Sequence, residues 1–185
     1  AQLKVRGKKD SQCGAMNEGE IRMETNDMDK TPELNRHNKD EYPPMHTTEH
    51  ILNQTMIRMF GCGRARSAHI ERKKSKCDYS LSGKPSDEEV AEIARRVNEA
   101  IDANLPVSID YLRREEAASI ADLSKLPKDA SETVRIVRVG DYDACACIGA
   151  HVASTGEIAE TDGHFSIVSH DWTEGTWRVR FKLAK

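Results

Sequence analysis

The segment that most constrains this chain is a helix-forming run bounded by proline and glycine. Pro43 and Pro44 prevent a helix from running into the segment, and Gly61 favours the end of one. Between them the apolar residues recur at helical spacing, which predicts a helix over roughly 46 to 60. His46 and His50 lie four residues apart in this run, so both imidazoles project from one face. The fold must either bury that face or use it to hold a metal ion or a water.

Composition predicts a polar globular protein. The 185 residues are 32% charged and 37% hydrophobic, which suits one domain with a core, or one domain plus a small extension. The chain has no apolar run of 18 residues and no apolar segment behind its basic N-terminus. We therefore expect neither a membrane span nor a secretory signal, and a cytoplasmic location. The five cysteines are odd in number and irregularly spaced, so they read as reduced thiols or metal ligands rather than disulfides.

The charge is unevenly distributed. The net charge is -3, which does not predict binding to nucleic acid by global charge. Residues 58–76 nevertheless form a dense basic run with one acid, Glu71. Its bases are Arg58, Arg64, Arg66, Arg72, Lys73, Lys74 and Lys76. Such a run is typical of a solvated hairpin tip, or of a surface that binds a phosphate backbone.

Downstream of the first helix, the pattern alternates between hairpins and helices. Ser86 and Glu89 form a capping box that begins a second long helix, which runs to about 103. Strands are predicted at 64–81 (with a turn near 72–75), 107–112, 133–139, 142–147, 165–170 and 177–183, and a short helix at 115–123. This order predicts an α+β fold with a mostly antiparallel sheet packed against two long helices. Residues 1–44 are expected to be a polar, partly irregular extension with a short strand near 21–24, and 45–185 the domain.

A second pair of metal-type donors, Cys147 and His151, also has a spacing of four. Together with His46 and His50 it makes four nitrogen and sulfur donors, the number and type that suit Zn²⁺. Residues 51–146 separate the pairs, so they form one site only if the fold brings them together.

The first motif has a competing interpretation. His46 to His50 also spells H-x-x-E-H, a zinc-peptidase signature in which Glu49 would be the general base. That chemistry requires a third, carboxylate ligand, for which Glu88, Glu89 and Glu92 are available in the second helix. It leaves the Cys147 and His151 pair unexplained.

A family resemblance covers about Met45 to the C-terminus. His46–Leu52 resembles an HxxxH-hydrophobic-hydrophobic helix, and Cys147–Val152 followed by Ser154–Ile158 resembles a C-x-G-x-H-V segment with its threonine-glycine tail. The passages between them that match in order and spacing are Cys77–Tyr79, Val97–Ile101, Asn104–Val107 and Glu115–Ala117. These motifs resemble the editing domain of alanyl- and threonyl-tRNA synthetases and of free-standing alanyl-tRNA editing proteins.

The resemblance implies a two-layer fold and a deacylase activity. The family hydrolyses mischarged aminoacyl-tRNA, here Ser- or Gly-tRNA-Ala or Ser-tRNA-Thr. The resemblance implies that His46, His50, Cys147 and His151 are catalytic residues and zinc ligands; in the threonyl branch these positions can hold substrate and water without a tight metal. The residues expected to contact the substrate are Thr47, Thr48, Arg66, Lys73 and Lys74.

The implied partner is the tRNA acceptor end, with neither a membrane nor DNA, and the oligomeric state stays open. Ile148 and Ala150 depart from the residues that the family usually has between the cysteine and the histidine. The alternative is therefore a non-catalytic relative that binds tRNA or zinc.

Overall fold

The computed structural model describes residues 41–124, 126 and 130–185. The predicted extension, with its strand near 21–24, lies almost entirely outside the described residues. The helices are α1 (Pro43–Phe60), α2 (Asp87–Asp102), α3 (Arg114–Ala118) and α4 (Gly156–Thr161). The strands are β1 (Ser67–His69), β2 (Ser75–Ser80), β3 (Val107–Arg113), β4 (Thr133–Val139), β5 (Asp143–Ala146), β6 (His164–Thr173) and β7 (Thr176–Ala184). The predicted α+β class with antiparallel sheets and two long helices is confirmed.

Helix α1 begins at Pro43, three residues before the predicted start. Proline is tolerated in the first turn because the missing N–H has no intrahelical partner there and its φ is already helical. The helix ends at Gly61, which adopts a left-handed φ of 62° and donates its N–H to the carbonyl of Ile57 at 2.9 Å. Ile51, Leu52 and Met56 face the core, and none of the three is exposed.

Helix α2 begins with the predicted capping box. Glu89 N–H donates to the Ser86 hydroxyl, and the Ser86 N–H donates to the Glu89 carboxylate at 2.8 Å. Ile93, Val97 and Ile101 form its fully buried stripe. The opposite face is solvated and carries ion pairs among Glu92, Arg95, Arg96 and Glu99.

The larger sheet is antiparallel in the order β1-β2-β7-β6. Both predicted hairpins, β1–β2 and β6–β7, are present. Side chains alternate across the sheet, and the inner face packs in the same hydrophobic core as α1 and α2. The fully buried residues of β2 and β7 are Cys77, Tyr79, Trp177, Val179 and Phe181.

A second antiparallel sheet has the order β3-β4-β5 and carries the short helix α3. Helix α3 ends at Ala118, five residues before the predicted end, and only Ala117 of this helix is buried. A helix that buries a single small side chain gains little from packing, so its extension to 123 is not favoured. Strand β5 contacts α1, which brings the end of this sheet to the histidine face.

Helix α4 was not predicted. It follows the Cys147–His151 segment and buries Ile158 completely. None of the described helices is long and apolar enough to cross a membrane.

Candidate metal centre

Helix α1 presents His46 and His50 on one buried face. Their ring centroids lie 5.2 Å apart, as expected for residues one turn apart. Only 5% and 2% of these residues are exposed. The two rings therefore face the same space, which the spacing predicted.

Cys147 and His151 lie between β5 and α4, and the fold brings them against α1. The sulfur of Cys147 is 3.5 Å from Nε2 of His46 and 3.4 Å from Nε2 of His151. The His151 ring lies 4.2 Å from that of His46 and 4.5 Å from that of His50. One donor atom from each residue lies within 4.8 Å of the other three. The two distant pairs thus form a single cluster that can hold a metal ion.

The segment that carries Cys147 is fixed by a strand and by a glycine. Arg135 of β4 donates through Nη1 to the carbonyl of Cys147 at 2.7 Å and to that of Gly149 at 2.9 Å. A Cβ placed on Gly149 would lie 2.3 Å from Cε1 of His46 and 2.7 Å from its Nδ1. Only a residue without a side chain allows this close approach to the imidazole.

The far end of the same segment is anchored to the end of α2. The Thr155 hydroxyl donates to the carbonyl of Ala100 at 2.8 Å and accepts the Leu105 N–H at 2.8 Å. Asn104 has a φ of 49°, and its side-chain oxygen accepts the Gly156 N–H at 3.2 Å. The Asn104–Val107 and Ser154–Ile158 passages therefore act together to position His151.

Each histidine has an outer partner at Nδ1. For His46 these are the carbonyl of Ala150 at 3.1 Å and the Glu41 carboxylate at 3.4 Å, and for His151 it is the Thr47 hydroxyl at 3.1 Å. For His50 it is the carboxylate of Asp143, with Oδ2 3.2 Å away. This contact is an ion pair, and no other described group bonds that nitrogen. Partners at Nδ1 direct Nε2 of each ring to the cluster, as in histidines that bind metals.

Asp143 is the residue that sequence reasoning missed. Its side chain has no exposed surface. Its two carboxylate oxygens accept hydrogen bonds from Nη1 and Nη2 of Arg64, at 2.7 and 3.1 Å. Arg64 was assigned to the basic run, but this arginine neutralises a buried carboxylate. The alternation of Asp143, Cys145 and Cys147 along a strand was the available signal, because alternate residues share a face.

Comparison with known proteins identifies the family. Residues 134–180, which include Cys147 and His151, match the family described as the threonyl and alanyl tRNA synthetase second additional domain. The chain is 33% identical over 151 residues to an alanine–tRNA ligase of Bacillus subtilis, covering 80% of this chain and 17% of the ligase. The chain belongs to the editing-domain family of alanyl- and threonyl-tRNA synthetases.

Two further relatives of this chain are also alanine–tRNA ligases. The one from Methylacidiphilum infernorum is 36% identical over 125 residues, which cover 66% of this chain and 13% of the ligase. The one from Treponema denticola is 29% identical over 140 residues, covering 75% of this chain and 23% of the ligase. The chain thus spans less than a quarter of the length of each ligase.

The surroundings of Cys147 in the four-residue cluster favour its thiolate form. Burial opposes ionisation of Cys147, but hydrogen bonds from His151, His46 and His50 outweigh it and lower the pKa of the thiol to about 2. Burial favours neutral imidazoles and lowers the pKa of His151 to about 4, whereas at His46 the contact with Cys147 outweighs burial and raises the pKa. At His50 the Asp143 carboxylate outweighs burial and raises the pKa to about 9. The metal-free cluster therefore contains a thiolate beside a protonated His50.

The donor set and its spacing fit a zinc ion. Zinc binds thiolate sulfur at about 2.3 Å and imidazole nitrogen at about 2.0 Å, so neighbouring ligands of a tetrahedral site lie about 3.5 Å apart. The two distances from the sulfur of Cys147 to Nε2 atoms match this value. The ionised thiol and the outer partners of the imidazoles are the remaining requirements of such a site.

An open cavity of about 410 Å³ adjoins the cluster. His46, His50 and Cys147 line it, together with Glu49 and Arg66. Arg66 is exposed at its rim, so this predicted substrate contact lies beside the cluster. Lys73 and Lys74 are exposed in the β1–β2 turn, outside the cavity.

The two threonines of the motif are fully buried. Thr47 contacts His151 and also accepts the Val152 N–H at 3.3 Å, so its hydroxyl orients the site from within. Thr48 donates to the carbonyl of Pro44 at 2.7 Å, one turn back in the helix. Both hydroxyls are therefore engaged by the protein itself, and a substrate contact by either stays a prediction.

The departures from the family pattern fall on exposed positions. Ile148 is 36% exposed, so its bulk projects to solvent, and Ala150 contributes its carbonyl rather than a side chain to His46. Cys145 stays outside the cluster; its sulfur contacts the carbonyl of Ala146, and burial raises its pKa to about 12. The position that must be small is Gly149.

The peptidase interpretation lacks its third ligand. Within the described ranges, the only group of His, Cys, Asp and Glu side chains placed to hold a metal is the four-residue cluster. Glu92 accepts hydrogen bonds from Arg95 and Arg96, and Glu89 caps its own helix. No carboxylate of α2 is therefore a ligand.

Proposed function

We propose that this chain is an aminoacyl-tRNA deacylase whose His46, His50, Cys147 and His151 hold a zinc ion. The observation that carries the proposal is the convergence of these four donors, each histidine with an outer partner, in a domain of the editing family. We further propose residues 45–185 as the editing domain, residues 1–44 as an extension, and the cytoplasm as the location.

The chemistry of such a site suits the substrate class that the family resemblance implies. An aminoacyl ester is already activated, so hydrolysis needs a positioned water and a polarised carbonyl. A zinc ion held there would act as a Lewis acid, which lowers the pKa of a water or polarises a carbonyl group. Asp143, Thr47 and the Ala150 carbonyl hold the imidazoles in place, and Gly149 keeps the segment against His46. The proposed substrates are Ser- or Gly-tRNA-Ala and Ser-tRNA-Thr.

We propose that the basic residues near the cavity bind the acceptor end of tRNA. Arg66 lies at the rim, and Lys73 and Lys74 extend the positive surface along the β1–β2 turn. Arginine and lysine contacts to phosphates are independent of sequence and weaken with salt. Arg64 is excluded from this surface because it pairs with Asp143.

The decisive experiment measures deacylation of Ser-tRNA-Ala, Gly-tRNA-Ala and Ser-tRNA-Thr by the zinc-loaded protein. We expect at least one substrate to be hydrolysed well above the buffer rate, and Cys147→Ala to lose both this activity and bound zinc. Cys62→Ala is the matched control, because Cys62 lies outside the cluster. Hydrolysis of none of the three, with tRNA or zinc still bound, would favour the non-catalytic relative.

A further inference from the structure

Glu49 is a half-buried carboxylate in the wall of the cavity. One of its oxygens accepts a hydrogen bond from the side-chain nitrogen of Asn53. Among the described residues no cation forms an ion pair with it; Arg64, which interacts with it electrostatically, is paired with Asp143. The imidazoles of His46 and His50 interact with it electrostatically as well, and Asn53 is its hydrogen-bond donor among the described residues.

A buried network fixes the direction of this carboxylate. The side-chain oxygen of Asn53 accepts both the Tyr79 hydroxyl, at 2.9 Å, and the Ala65 N–H, at 2.9 Å. Two donors on that oxygen prevent the amide from flipping, so its nitrogen must donate to Glu49. Asn53 is 2% exposed and Tyr79 is fully buried, so the core holds the orientation. Glu49 is thus aimed by three elements, α1, β2 and the connection between α1 and β1.

Three of the four donors, His46, His50 and Cys147, line the same cavity as Glu49. A substrate that reacts at the cluster from this cavity therefore places its neighbouring atoms close to Glu49. In an aminoacyl ester the carbon next to the reacting carbonyl carries a protonated amino group. An ammonium group supplies both a positive charge and several N–H donors, which suit an oriented carboxylate. It would also form the direct ion pair that no described side chain forms with Glu49.

We propose that Glu49 binds the α-ammonium group of the aminoacyl ester and selects esters with a free amino group over N-acylated ones. The inference rests on the proposed deacylase function and assigns its substrate specificity to one carboxylate. This role differs from that of a general base, which the peptidase signature would give Glu49, and from that of a zinc ligand. Peptidyl and formylated esters, which lack the charge, are excluded as efficient substrates.

The test compares Ser-tRNA with N-acetyl-Ser-tRNA, using the wild type and Glu49→Gln. Glutamine keeps the shape and the contact with Asn53 but removes the charge. A hydrogen bond to a charged group contributes about 10- to 100-fold, so we expect kcat/KM of the wild type to favour the free amine by that factor. In Glu49→Gln this preference should fall to near one, with hydrolysis of the N-acetyl ester unchanged. Glu88→Gln on the exposed start of α2 is the matched control.

A binding measurement separates failure of this inference from failure of the proposed function. The probes are the non-hydrolysable 3′-seryl-amide of 3′-deoxyadenosine and its N-acetyl derivative, titrated calorimetrically into zinc-loaded protein. Tighter binding of the free-amine probe to the wild type, lost in Glu49→Gln at equal zinc content, supports the inference. Equal binding of both probes, or an equal loss of rate on both esters in Glu49→Gln, overturns it. Absence of hydrolysis by the wild type overturns the deacylase proposal, while the two probes still decide the role of Glu49.

Discussion

His46 and His50 lie within an 18-residue helix, whereas Cys147 and His151 lie on a connection without regular secondary structure. The helical pair keeps its spacing through backbone hydrogen bonds and core packing. The connecting segment keeps its position through contacts with distant residues: Arg135, Thr47 and the Asn104–Val107 passage. One cluster can thus combine a rigid half, His46 and His50 on a helix, with a second half, Cys147 and His151, whose position depends on tertiary contacts. Damage to the two halves should therefore have different signatures.

Asp143 supports the rigid half and should give the largest effect. Asp143→Ala leaves the half-buried Arg64 without its partner and removes the outer partner of His50. Removing one member of a buried ion pair costs about 3 kcal/mol or more, so we expect a loss of that size in urea unfolding. Asp110→Ala breaks a more exposed arginine pair on the same sheet and should cost less than about 1 kcal/mol. Equal losses in the two variants would contradict the structural role of Asp143.

A substitution at Gly149 tests the half of the cluster that contains Cys147 and His151. In Gly149→Ala the new methyl group collides with His46, so the segment must withdraw from α1. Zinc affinity, measured by competition with a chelator, should fall about 10- to 100-fold, as when other supports of metal ligands are lost. Stability should fall less than in Asp143→Ala, because the connection can withdraw from α1 without leaving a charged group unpaired. Gly83→Ala, where the methyl group meets nothing within 4 Å, should bind zinc like the wild type.

Arg135 offers a milder change to the same half. Arg135→Met keeps the aliphatic stem and removes the donor to the carbonyls of Cys147 and Gly149. We expect zinc affinity to weaken about tenfold, at the lower end of the range for outer contacts of a metal site. Arg138→Met on the same strand removes only the pair with Asp110 and should leave affinity unchanged. A larger loss in Arg138→Met than in Arg135→Met would show that the contact does not place the segment.

The joined cluster predicts a pH dependence for the metal-free protein. The folded pKa values of Cys147 and His151 are lowered to about 2 and about 4, so the unfolded chain binds more protons below pH 6.5. Stability should therefore decrease as pH falls from 6.5 to 4. Between pH 6.5 and 9 the raised pKa of His50, about 9, acts in the opposite sense and offsets Cys147.

Cys147→Ser isolates this effect in urea unfolding of metal-free protein. It should remove about 1 kcal/mol of the loss between pH 6.5 and 5.5. His69→Gln changes an exposed histidine and should leave the pH profile of the wild type. An unchanged slope in Cys147→Ser would mean that the thiol is not ionised in the folded, metal-free cluster.

The helices show how far local patterns reach. The capping box predicted the start of α2 correctly. Pro43 and Pro44 on one side and Gly61 on the other predicted the two ends of α1 to within three residues. Helix α4 was missed because it has six residues, begins at a glycine and buries only Ile158. Such an element is stabilised by the surface on which it packs, so its own sequence carries little signal.

The candidate site divides in the same way. The sequence itself determined the shared face of His46 and His50, because a helix repeats every 3.6 residues wherever it lies. It also determined the four-residue set of metal-type donors, since their spacing and identity are local properties. The tertiary structure alone decided that the two pairs meet, that Asp143 stands behind His50, and that Glu49 faces the cavity. Those facts depend on contacts such as Arg64 with Asp143 and Asn53 with Tyr79, between residues far apart in the chain, for which no local periodicity exists.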